Sequence, residues 1–111
     1  MEYVFNATGD CVTGDQIRFQ RAIFTGSFRS PKFSHLQELE GIVVSESYGA
    51  KKGQHTFTIL LTDGTKLRIK GRNLYRYGVK RAAWLDEDER KRVAAEKHAR
   101  GDDARAKRER D

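Results

Sequence analysis

Lys66, Arg68 and Lys70 alternate with Leu67 and Ile69, and no acid stands anywhere between Lys66 and Arg81, a stretch that also holds Arg72, Arg76 and Lys80. In an extended chain, side chains point alternately to opposite faces. Three cations therefore line one surface at about 6.5–7 Å intervals while the two aliphatics turn toward a core. That interval is close to the spacing of successive phosphates along a nucleic-acid strand, and the chemistry it offers is charge neutralisation with release of counterions. The competing use is a solvated strand face whose lysines discourage edge pairing. Further along, Arg72, Arg76 and Arg81 can grip phosphate or stack on bases. Of Tyr75 and Tyr77, one is expected in the core and the other exposed as a stacking platform.

Two more segments carry the same kind of chemistry. Phe24–Phe33 interleaves aromatics with bases and small hydroxyls, and Phe28, Arg29, Lys32 and Phe33 suit stacking or groove contacts. The same phenylalanines would equally cap an open barrel end or form a protein-binding patch. Lys51 and Lys52 stand between Gly49 and Gly53, where a hairpin tip would present them to a phosphate backbone. Neither the P-loop nor the dinucleotide fingerprint is present, so these glycines are explained by turn geometry.

Catalytic chemistry has little to draw on. His35, His55 and His98 fall in separate segments, and Cys11, the one cysteine, has no partner at zinc-ligand spacing and none for a disulfide. Asp10, Asp15 and Asp63 sit beside Gly or Thr, where a turn uses them locally. The expectations are no catalytic residue, no metal, no cofactor and a reducing, cytoplasmic setting. No run approaches the roughly 20 apolar residues of a membrane span, and Met1–Gly14 lacks the order of a secretory signal. With 111 residues, 34% of them charged, the chain holds one small domain.

The net charge of +6 is local. Residues 84–111 carry nine acids and nine bases, whereas residues 1–83 carry 13 bases and 7 acids. A basic excess favours a polyanionic partner.

These residues need elements to position them. Residues 1–83 hold almost every aromatic and β-branched apolar residue, punctuated by glycines, which predicts a mainly β domain of short strands. Strands are expected over Met1–Ala7, Gln16–Phe24 with a bulge within Arg21–Phe24, Gly41–Tyr48 with Ile42 and Val44 on one face, Gln54–Leu61, and Thr65–Lys70. Thr62-Asp63-Gly64 predicts a tight hairpin. Residues 24–40 are expected as a long loop, with a helical turn in Ser34–Glu40 carrying Leu36 and Leu39. Five strands around one core suggest closure into a small barrel. Residues 84–100 put acids first and bases later, with i,i+4 pairs such as Asp86/Arg90 and Arg92/Glu96, which predicts a charged helix. Its apolar face is thin, so it should stand in solvent or dock only at its first turn. Gly101 is the natural stop, and residues 101–111 a charged tail, marginally helical or disordered.

Val12-Thr13-Gly14-Asp15-Gln16-Ile17-Arg18-Phe19, followed by Gly41-Ile42-Val43-Val44, resembles the opening of a KOW-type, SH3-like barrel. Leu60-Leu61-Thr62-Asp63-Gly64-Thr65 and Gly71-Arg72-Asn73-Leu74-Tyr75 are similar to its closing half, where a short helical turn precedes the last strand. The resemblance spans residues 12–80. It implies a barrel that binds RNA, DNA or transcription and translation machinery through loops and one face. The resulting expectation is a non-catalytic nucleic-acid-binding protein of low sequence specificity, since no base-reading recognition helix is visible. The alternative is a small adaptor or inhibitor of the mobile-element type, docking on a host protein through its aromatic segment and basic face.

Overall fold

The computed structural model describes residues 2–47 and 55–110, the last eleven of these by backbone alone. The fold is mainly β. Six strands form one antiparallel sheet: β1 (Phe5–Asn6), β2 (Gln16–Ser27), β3 (Ser30–Ser47), β4 (Thr56–Leu61), β5 (Lys66–Lys70) and β6 (Val79–Arg81). A four-residue helix, α1 (Gly71–Leu74), precedes β6, and α2 (Glu87–Arg110) ends the chain. The spatial order is β1-β6-β2-β3-β4-β5, so the short last strand inserts between the first two. The sheet curls into a half-barrel whose edges are β1 and β5. Six strands take the place of the five expected, because Val79–Arg81 pairs with both β1 and β2.

The curl closes on one core. Ile17 and Phe19 of β2, Val43 of β3, Phe57 and Ile59 of β4, Leu74 of α1 and Val79 of β6 are all buried there, with Ala7 and Cys11 from the first loop. Close packing requires Gly41: a Cβ there would stand 2.5 Å from the Leu60 carbonyl oxygen and 2.8 Å from Ile59 Cγ2. Asp63 Oδ1 accepts from the Thr65 amide at 2.9 Å and its hydroxyl at 2.6 Å, which fixes the β4–β5 hairpin where the Asp-Gly step predicted it.

Three expectations are corrected. The segment Phe24–Glu40 is strand, not loop or helical turn. β2 and β3 pair out to Ser27↔Ser30, with Phe28 and Arg29 as the turn and a register shift at Ile23/Phe24. The bulge was expected there. The continuing ribbon was not, because past the core neither of its faces is buried and no alternating pattern marks it. In β3 Val43 turns inward by alternation with Gly41, and Val44, in the register shift between Val43 and Ser45, is exposed, reversing the face expected for Ile42 and Val44. Helix α2 begins at Glu87 rather than at Trp84 and passes through Gly101 to Arg110. Asp86 accepts from the Asp88 amide at 2.9 Å, as a capping carboxylate does, instead of pairing with Arg90. Among the described residues no helix is long and apolar enough to cross a membrane.

Candidate functional site

Among the described residues strand β5 is an edge, bonded only to β4, and its side chains alternate as the sequence required. Lys66, Arg68 and Lys70 are exposed, and Leu67 and Ile69 are half-buried against the core. Directly across on β4 stand Leu60, Thr58 and Thr56, and beyond them on β3 Ile42, Ser45 and Ser47. No carboxylate shares that face at these positions.

Most acids of the sheet domain are engaged elsewhere. Glu38 and Glu40 hold Arg18, at 2.8 and 2.9 Å. Asp15 and Asp10 hold Arg90, and Glu46 lies 3.3 Å from both His55 and Lys97. Lys66, Arg68, Lys70, Arg72, Arg76 and Lys80 make no ion pair with any described carboxylate. The positive excess is therefore concentrated on β5, on α1 and around the turn that follows.

Arg81 does not belong to it. Its side chain is buried, donates to Glu87 at 2.8 and 3.1 Å, and lies 4.5 Å over the Phe5 ring. In a strand Arg81 has the parity of Val79, which is in the core, so the alternation of Val79-Lys80-Arg81 was the signal that Arg81 turns inward. The Arg81 contact, together with the Trp84 amide, holds the Glu87 carboxyl down from its ordinary 4.5 to about 2.

The β2–β3 ribbon carries the aromatic segment into solvent. Phe28 is fully exposed at the turn beside Arg29, while Phe24 and Phe33 pair across the strands, edge to face, with centroids 6.2 Å apart. Lys32 is exposed opposite Thr25. Phe28 and Phe33 cap no barrel end, being exposed on the ribbon. Lys51 and Lys52 lie outside the described residues.

Tyr75 is the core tyrosine and Tyr77 the exposed one. The Tyr75 ring meets Phe57 edge to face at 5.8 Å, and its hydroxyl accepts from the Cys11 amide at 3.1 Å. Burial pushes the Tyr75 hydroxyl well above its ordinary value and the Cys11 thiol up to about 12, so this cysteine is no nucleophile. Tyr77 carries Arg76 at 5.7 Å over its ring. It lines a groove of about 270 Å³ at the unclosed side of the sheet, between the end of β2 and β5, with Phe24, Leu67, Ile69, Asn73 and Arg76. Only long-range folding brings Phe24 and Asn73 together, so no local pattern marked this groove.

Helix α2 docks on charge rather than on an apolar stripe. Arg90 donates to both oxygens of the fully buried Asp15, at 2.8 and 2.9 Å, and to the Asp10 carbonyl at 2.7 Å. Trp84 Nε1 completes Asp15 at 2.7 Å. Two turns on, Lys97 donates to the Cys11 carbonyl and lies 5.1 Å over the Phe57 ring. Burial raises the Glu46 carboxyl, but the His55 hydrogen bond and the Lys97 charge outweigh it and hold the group below its ordinary value. Docking thus extends well past the first turn. Among the described residues no group of three or more His, Cys, Asp or Glu could hold a metal ion.

A family model described as domain of unknown function (DUF7699) matches residues 11–84. The chain is also similar to a rice protein, from Oryza sativa subsp. japonica, named zinc finger CCCH domain-containing protein 62. The two are 44% identical over 121 aligned residues, which take in 96% of this chain and 17% of that protein. The chain thus spans a small part of that relative's length. With one cysteine it cannot by itself build the three-cysteine, one-histidine zinc site that the relative's name denotes. No solved structure matches the chain.

Proposed function

The chain belongs to the family described as domain of unknown function (DUF7699), and we propose that it is a non-catalytic module that binds nucleic acid through phosphates with low sequence specificity. One observation carries this reading: the exposed row Lys66, Arg68 and Lys70 on an edge strand, with no described carboxylate paired to it. Like charges at strand spacing repel unless an anion lies across them, and a polyphosphate backbone does so with release of its counterions. Arg72 and Arg76 extend the row, and Arg29 and Lys32 on the β2–β3 ribbon add contacts at a distance. The Gly-Asp step that launches β2 and the helical turn α1 ahead of β6 support an SH3-like, KOW-type barrel left open on one side. A relative named for a zinc finger is in keeping with a nucleic-acid setting.

The test is a binding titration with a mixed-sequence RNA or DNA at several salt concentrations. Four phosphate contacts predict an affinity loss of about 50- to 150-fold between 50 and 200 mM salt. Lys66→Glu, Arg68→Glu and Lys70→Glu together should abolish most of the binding and flatten the salt slope. Tight association that ignores salt would overturn the proposal.

The exposed Phe28 and Phe33 favour a second reading, an adaptor that docks on a protein through the β2–β3 ribbon. Phe28→Ala with Phe33→Ala separates the two. Nucleic-acid binding that survives this pair but not the charge reversal supports phosphate recognition by β5.

A further inference from the structure

We propose that the groove between the end of β2 and β5 receives one unpaired nucleobase, so that the polynucleotide bound is single-stranded. This rests on the phosphate-binding reading above and names its substrate class. Leu67 and Ile69, which line the groove, alternate along β5 with Lys66, Arg68 and Lys70. The apolar lining and the cationic row are therefore the two faces of one five-residue strand, and a base held on the inner face leaves its phosphates beside that strand's open edge.

The other lining groups suit a base rather than an aliphatic ligand. Phe24 and Tyr77 are 57% and 39% exposed and offer aromatic faces, and Arg76, over Tyr77, adds a planar cation. Asn73 presents an amide that makes no side-chain hydrogen bond among the described residues. An amide supplies a donor and an acceptor side by side, the pairing that a base edge requires. At about 270 Å³ the groove falls just below the roughly 300–1,000 Å³ of sites for drug-sized molecules, a size that suits a single heteroaromatic base. A duplex keeps its bases stacked on one another and would leave these groups unused. A peptide of acidic residues alone would meet the lysines but has nothing to stack on Phe24 and Tyr77.

The experiment uses the full chain and four probes at one salt concentration: a mixed-sequence 12-nucleotide single strand, an abasic strand of the same length, a 12-base-pair duplex, and poly-glutamate as competitor. The single strand is expected to bind at least about fivefold more tightly than the abasic strand. Asn73→Ala and Tyr77→Ala, both at exposed positions, should each erase most of that preference while leaving the salt slope and the thermal midpoint unchanged. Equal binding of base-bearing and abasic strands, preference for the duplex, or displacement by poly-glutamate as readily as by the single strand would overturn the base site. The phosphate reading would stand wherever nucleic acid still bound with a salt slope. Failure of the wild-type chain to bind any nucleic acid would overturn both.

Discussion

Asp15 is the residue on which the sheet and the helix depend together. Its carboxylate is fully buried and satisfied by four donors: the Val12 amide at 3.0 Å, Trp84 Nε1, and two groups of Arg90. Gly14 beside it has φ +101°, and a Cβ there would stand 2.7 Å from the Trp84 ring, so the turn that aims Asp15 also leaves room for the tryptophan that caps it. A carboxylate in that position tolerates burial only while its cation stays. Arg90→Ala is therefore expected to cost about 3–5 kcal/mol of stability in urea denaturation, since it leaves a buried charge unpaired. A loss under about 1 kcal/mol would mean that water reaches Asp15.

At the scale of elements, Glu87 sets the entry into α2. It accepts from Arg81 on β6 and from the Trp84 amide at 2.7 Å. Its carboxyl is depressed, so its contribution is present in full above its ordinary value of 4.5 and is lost as pH falls toward about 2. In an acid titration followed by Trp84 fluorescence, Glu87→Gln should remove part of the change seen between those values; an unchanged profile would assign the transition to other carboxylates. What was legible in the sequence follows the same division. The β4–β5 hairpin and the cationic row of β5 rest on local chemistry, an Asp-Gly turn and a period of two, and both stand where expected. The β2–β3 ribbon, exposed past Ile23, offers no alternation to find, and its strands are held by ladder bonds and the Phe24–Phe33 pair. The docking of α2 was hidden for the opposite reason: its anchors Arg90 and Lys97 are residue types that ordinarily face water, and their partners Asp10, Asp15, Cys11, Glu46 and Phe57 all lie far back in the sequence.

Over the whole molecule, charge is sorted rather than spread. Carboxylates are spent fastening Arg90 and Lys97 in the interior and, through acids nearer the surface, Arg18 and Arg81, and the bases left over gather on β5, α1 and the ribbon. The fastening is expected to make one cooperative body out of what the sequence divides at residue 83, because removing α2 would strip Asp15 of Arg90 and Glu46 of Lys97 at once. Thermal unfolding followed by helical circular dichroism and by Trp84 fluorescence should therefore give coincident transitions. Shortening the chain to residues 1–83 should yield a product that does not fold stably. A helical transition well below the fluorescence transition, or a folded 1–83 fragment, would show that α2 is an appendage and that the buried carboxylates find solvent when it leaves. Coincidence would mean instead that the ion pairs on the helix side hold the sheet in the curl that keeps Leu67 and Ile69 facing inward and Lys66, Arg68 and Lys70 facing out.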